Sequence, residues 1–187
     1  HKVSMMAHYV RVLPGKTFRF NVADCRPYNA DYDGDEMNVH VPQTEEAQAE
    51  AEILMRVQDQ ILSPRNGEPI IVPDFDQVSG VYLMTIKDSV FSKLQAMELL
   101  EGTGVAAEFD SDKVPGREVY SMLLPKDLEF ESRNRSYHRD CKECVSGKCS
   151  EHDSRTVIKK GKLTSGHLDA KVSDLILGYI FKHYGSD

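Results

Sequence analysis

The chain has 187 residues, of which 40% are hydrophobic and 28% charged, with a formal net charge of −7. That is enough chain for one domain or two small ones with a real core, and the balance is that of a globular protein. The acidic charge argues against a module that wraps nucleic acid unaided; no apolar run reaches the roughly 20 residues of a membrane span, and the first residues lack the apolar stretch of a signal peptide.

Residue 1 is His rather than Met, and both ends read as cuts through a longer chain. Residues 1–43 read as β-rich. Phe18, Phe20 and Val22 alternate with Arg19, Asn21 and Ala23, and Met37, Val39 and Val41 alternate with Asn38, His40 and Pro42. Both are the period-2 pattern of half-buried strands. A polar loop, residues 29–35, lies between them. Residues 44–63 read as a helix, with Thr44 as N-cap, Glu45 and Glu46 at the positive end of its dipole, and Pro64 ending it. Residues 65–69 form a turn, and Ile70, Ile71 and Val72 a short strand.

Asp76 caps a helix running to Thr85, and Ser89 another running to Glu101, closed by Gly102. Residues 102–116, rich in glycine, form a connector, and residues 117–124 a short helix before Pro125. Residues 131–156 are polar and cysteine-bearing, a surface excursion. Val157, Ile158 and Leu163 around Lys160-Gly161 predict a hairpin. Val172, Leu175, Ile176, Tyr179, Ile180 and His183 trace an apolar helical stripe that stops near Gly185. The fold class is α+β. Three regions follow: 1–43, 44–130 and 131–187.

The strongest chemical signal is Asn29-Ala30-Asp31-Tyr32-Asp33-Gly34-Asp35, with three carboxylates in five residues. Like charges this close raise one another's pKa values, and a hard divalent cation is the usual reason to gather them. Gly34 allows the tight turn that would bring them onto one ion. A solvated acidic turn is the bland alternative, because Asp, Asn and Gly are common turn formers. A calcium loop of EF-hand type does not fit: counted from Asp31, the sixth residue is Glu36 rather than Gly and the twelfth is Pro42 rather than Glu. Asn29 alone reads as a turn residue and His40 as a structural histidine.

The string Tyr28–Gln43, YNADYDGDEMNVHVPQ, closely resembles the active-site signature NADFDGD of the largest subunit of cellular multi-subunit RNA polymerases, with Tyr32 in place of the usual Phe. The resemblance extends along most of the chain. It includes His1–His8 and Val12–Arg19 before the loop, then Thr44–Ala47, Leu62–Ile70 and Asp76–Thr85, the last two like the approach to the pore. Gly116–Pro125 resembles a stretch that usually begins GKQ; Arg117 and Glu118 depart from it. Glu36, Met37 and Asn38 look archaeal or eukaryotic rather than bacterial.

The resemblance implies a double-psi β-barrel portion in residues 1–43, a helical pore-region segment in 44–130, and a cysteine-bearing excursion, hairpin and C-terminal helix in 131–187. It implies that Asp31, Asp33 and Asp35 hold a catalytic Mg2+, that a second arrives with the nucleoside triphosphate, and that Asn29 contacts sugar hydroxyls at the reacting end. Implied partners are the second-largest polymerase subunit, other polymerase subunits, a DNA template, the RNA transcript and nucleoside triphosphates, with no membrane. The implied setting is the cytoplasm of an archaeon, or the nucleus of a eukaryote. Basic residues of the second-largest subunit, a ribose-reading arginine before His1, and the bridge helix and trigger loop beyond Asp187 complete the family's active centre. The chain alone is therefore expected to be inactive.

A second motif stands apart. Cys141-x2-Cys144-x4-Cys149-x2-His152 offers four soft or borderline ligands at short spacing, which suits Zn2+ in a compact structural knuckle. His138 or a water could replace His152, and surface thiols in an insertion are the bland alternative. Cys25 reads as a small packing residue. Three functions remain open at this point: a polymerase active-site piece, a zinc-binding interaction module without catalysis, and a divalent-metal hydrolase built on the aspartate loop. The last lacks any evident general base.

Overall fold

The computed structural model describes residues 3–147, 149 and 151–185. In chain order its elements are helices α1 (Cys25–Tyr28), α2 (Glu45–Leu54) and α3 (Asp76–Thr85), strand β1 (Val90–Ser92), α4 (Lys93–Glu101), β2 (Lys113–Pro115), α5 (Gly116–Ser121), β3 (Phe130–Arg133), α6 (Lys142–Ser146), β4 (Arg155–Lys159), β5 (Lys162–Ser165) and α7 (Ala170–Tyr184). Two 3-10 turns, Val22–Asp24 and Val57–Asp59, punctuate the first part. The architecture is α+β with small antiparallel sheets: β1 pairs with β2, and β3, β4 and β5 form a three-stranded sheet in that order. The chain divides into two compact units, one comprising His1–Phe75 with Asp174–Asp187 and the other Asp76–Ser173.

In the first unit, the strands expected at residues 18–22 and 37–41 do not form, and among the described residues no closed barrel is found. A strand needs a hydrogen-bonded neighbour and a covered face, and neither segment has a ladder partner within the described residues. Phe18, Val39 and Val41, which should face a core, are 51%, 58% and 61% exposed. Part of the predicted first strand instead turns into the Val22–Asp24 turn and α1, with the Asn21 side chain accepting from the Ala23 amide.

The helix expected over 44–63 stops at Leu54. Its start is as read: Thr44 accepts from the Ala47 amide at 3.2 Å, and two glutamates fill the first turn. Its end is set by competition for the last carbonyls. The Ala7 amide takes the Met55 carbonyl at 2.7 Å, and the Gln60 side chain takes that of Leu54 at 2.9 Å. Ile70–Val72 carries no strand; the pairing there is a single bridge between Leu62 and Pro69.

In the second unit, α3 spans the predicted residues. The next helix begins later than expected, because Val90–Ser92 forms β1 and Ser92, not Ser89, is the N-cap. Ser92 and Gln95 exchange side-chain-to-backbone bonds in a full capping box, and Gly102 closes the helix. β2 lies inside what reads as a connector, and α5 covers residues 116–121 rather than 117–124. The core of this part joins Ala96, Leu100, Phe109, Val114 and Val119, flanked by Met84, Phe91 and Ala107. Gly116 sits so close to the Met84 carbonyl that a Cβ could not be accommodated.

The β4–β5 hairpin turns at Lys160-Gly161, with φ of 49° and 69°, the paired left-handed geometry of a tight hairpin turn. The region expected as a surface excursion, residues 131–156, contains most of β3, all of α6 and the first residues of β4. Buried polar groups tie it down. Asn134 donates to the Asp153 carbonyl at 2.7 Å, Thr156 to the His167 carbonyl at 2.7 Å, and the Asp169 carboxylate accepts from the Arg135 amide at 2.7 Å and the Val172 amide at 2.9 Å. The last bond makes Asp169 the cap of α7.

Candidate functional site

The aspartate loop grows directly out of α1. That short helix ends in a left-handed residue, Asn29 at φ 52° and ψ 41°. The Asn29 amide donates to the Arg26 carbonyl at 3.2 Å and the Ala30 amide to that of Cys25 at 3.0 Å, the two bonds of a Schellman closure. Asn is among the few side-chain-bearing residues that tolerate this conformation. The backbone therefore leaves the helix sharply, and Asp31 follows two residues later.

Asp31, Asp33 and Asp35 are all exposed, and one ligand oxygen from each lies within 4.8 Å of the others. The Asp31 amide donates to an Asp35 carboxylate oxygen at 3.1 Å, folding the loop back on itself. Gly34, at φ 124°, supplies a conformation that L side chains rarely adopt. The hydrogen bond with Asp33, a little burial and the charge of Asp33 raise the Asp31 carboxyl above its ordinary value, against the pull of Asp35. The charge of Asp33 is the third of these causes, behind the hydrogen bond and burial.

Three neighbours were given no role at the loop by sequence reasoning. Arg26 pairs with Asp74 at 3.3 Å and Asp174 at 2.9 Å. These partners are 48 and 148 residues away, so no local pattern could have revealed them. Cys25, expected only to pack, is buried and also meets the Tyr32 hydroxyl at 3.3 Å, anchoring the residue between the first two aspartates. Tyr28 stacks on His8 and bonds its ring nitrogen at 2.6 Å. Cys25, Arg26, Asn29, Ala30, Asp31 and Asp74 line an open cleft of about 450 Å³. Asn29 and Asp31 reach this cleft, whereas Asp33 and Asp35 do not line it.

The four cysteine-cluster residues also come together. Ligand atoms of Cys141, Cys144, Cys149 and His152 lie within 4.8 Å of one another. Cys141 precedes α6 as its N-cap, Cys144 sits buried within it, and Gly147 ends it in the left-handed conformation. All four cysteines of the chain are free thiols. Burial alone would push the Cys144 thiol up; hydrogen bonds from Ser154, the His138 backbone, Cys149 and Cys141 outweigh it and bring the thiol down to about 6.

Comparison with known proteins places the chain. Residues 1–57 match the family model for RNA polymerase Rpb1, domain 2, and residues 60–187 that for RNA polymerase Rpb1, domain 3. The chain belongs to the RNA polymerase Rpb1 family. It is 49% identical to the DNA-directed RNA polymerase subunit Rpo1N of Methanothermobacter thermautotrophicus, across 100% of this chain and 22% of the relative. The Rpo1N of Sulfolobus acidocaldarius is 41% identical over the same shares, and that of Halobacterium salinarum 52% identical over 70% of this chain and 14% of its own length. The chain thus spans about a fifth of the length of the archaeal relatives it matches end to end. Because the similarity covers the whole chain rather than residues 141–152, a free-standing zinc module without catalysis is not favoured.

Proposed function

We propose that this chain contributes the catalytic magnesium loop of a DNA-directed RNA polymerase, with Asp31, Asp33 and Asp35 as the metal ligands. The observation that carries the proposal is the convergence of three exposed carboxylates within 4.8 Å in a chain of this family. The donor set fits. All three ligands are hard oxygen donors, their carboxylates converge within 4.8 Å, and an exposed loop leaves room for waters and phosphates. When bound, Mg2+ supplies the charge that acidifies an RNA 3′-hydroxyl and neutralises the pyrophosphate leaving group.

The protein's own part is positioning. The Schellman closure at Asn29 fixes where the loop begins, and the Asp31–Asp35 bond fixes its curvature. The Asn29 side chain, at the cleft beside Asp31, can both donate to and accept from a sugar hydroxyl. Arg26, held by two carboxylates, braces the helix from which the loop springs. On this reading residues 1–43 are part of a double-psi barrel. The exposed alternations around Phe18 and Val39 are strand faces covered by polymerase segments outside this chain. Residues 44–130 belong to the pore region, and residues 131–187 carry the excursion, hairpin and last helix. The other subunits, the DNA template, the transcript and the nucleoside triphosphates are the partners, in an archaeal cytoplasm.

The test is primer extension by the assembled polymerase with Asp31, Asp33 or Asp35 changed singly to Asn. Each change should lower the rate on the order of 10²-fold or more. Glu36→Gln, an adjacent exposed acid outside the cluster, should extend like the parent. Parental rates in the Asp variants, or an equal loss in Glu36→Gln, would overturn the proposal.

A further inference from the structure

The structure assigns a second metal centre, independent of the aspartate loop: we infer that Cys141, Cys144, Cys149 and His152 bind one zinc ion that fixes the 134–154 segment to the sheet and to α5. The donor set is three sulfurs and one imidazole nitrogen, a set typical of closed structural zinc sites. Tetrahedral bonds of about 2.3 Å to sulfur and 2.0–2.1 Å to nitrogen require S···N separations near 3.6 Å. Cys144 Sγ lies 3.6 Å and Cys149 Sγ 3.1 Å from His152 Nδ1. Cys144 is completely buried and the other three ligands half-buried. A loose surface insertion would not bury its thiol. The nearby His138 ring packs at a tilt against His152, with centroids 4.6 Å apart, and lies outside the group of four converging ligand atoms.

The site has something to fix. His152 is followed by Asp153, held at φ 47°. One Asp153 carboxylate oxygen accepts from the Gly166 amide at 2.8 Å, and the other pairs with Arg117 of α5. The Asp153 carbonyl accepts from Asn134, and Arg117 donates to the Thr85 carbonyl at 2.9 Å. A metal bound at His152 therefore sits one residue from the point where α3, α5, the residue after β5 and Asn134 meet. Among the described residues between Asn134 and Asp153, Cys144 is the buried hydrophobic one, and a segment with so little apolar core is where a metal staple adds most.

Two measurements test this in the assembled polymerase containing the chain. The first is elemental analysis of zinc. The Cys144→Ser/Cys149→Ser variant should hold one zinc fewer per polymerase than the parent, and His152→Cys, which keeps a four-ligand set, should hold as many as the parent. Equal zinc in parent and double variant overturns the inference. The second needs no substitution: alkylation of cysteines followed by mass spectrometry. Cys141, Cys144 and Cys149 should be protected in the untreated polymerase and become reactive at least about tenfold faster after chelation. Ready alkylation before chelation, or a disulfide among the three, overturns it equally.

Discussion

Thr85 offers a sharp test of how the Asp76–Ser173 unit is held together. Its hydroxyl is fully buried. It donates to the Val81 carbonyl at 2.8 Å within α3 and accepts from the Leu168 amide at 2.9 Å, 83 residues away. Thr85→Val keeps the shape but removes the acceptor. The Leu168 amide is then buried without a partner, at a cost of about 1–3 kcal/mol. The Val81 carbonyl lies within α3 and keeps its helical neighbours, so its loss is smaller. For a chain of this size the change corresponds to a fall of about 2–12 °C in Tm. Thr85→Ser keeps the hydroxyl and loses one methyl, about 1 kcal/mol, and Thr85→Ala should cost more than either. Urea unfolding with an unchanged slope measures these differences. A Val variant within about 0.5 kcal/mol of the parent would refute the view that this bond joins α3 to the segment before α7.

Other outcomes follow from the same structure. Gly116→Ala should cost about 1–3 kcal/mol or more in urea unfolding, because the new methyl meets the Met84 backbone carbonyl, which cannot swing aside. Burial holds the His167 pKa below its ordinary 6.5, with Asp153 and Asp169 opposing and Arg117 reinforcing the shift. A depressed folded value means that this stability is present above about pH 6.5 and is lost as pH falls toward the folded value. A stability–pH profile should show that decline, and His167→Gln should flatten it. Asn29→Gly keeps the left-handed residue that ends α1 and should leave stability within about 0.5 kcal/mol, yet weaken nucleotide use in primer extension; full activity would remove Asn29 from the site.

Much of the second unit, and the last helix α7, could be read locally. The α3 range, the Gly102 stop, the Lys160-Gly161 turn and the α7 stripe all rest on contacts within a few residues. The misplacement of Ser89 for Ser92 has a local cause too. Both are serines, but Gln95 completes a capping box only for Ser92, and the Ser89 carbonyl is taken by the Gly116 amide. β2 escaped notice because Lys113–Pro115 is three residues long and is specified by its partner β1. The two predicted strands around the aspartate loop failed for the opposite reason. Their alternation is real, but nothing within the described residues pairs with them, and a period-2 pattern describes a face to be covered, not what covers it. The carboxylates and the Cys/His ligands came together as their spacing suggested. Arg26 did not stand out, because ion pairs with Asp74 and Asp174 exist only in the folded chain.

The central claim is that the three aspartates hold the catalytic ion. The most direct measurement uses assembled polymerase with Asp31, Asp33 and Asp35 all changed to Asn, following magnesium-dependent RNA primer extension beside template binding by the same preparation. The account predicts that extension disappears while assembly and template binding persist. Extension near the parental rate would contradict it and leave the loop a turn without catalytic duty.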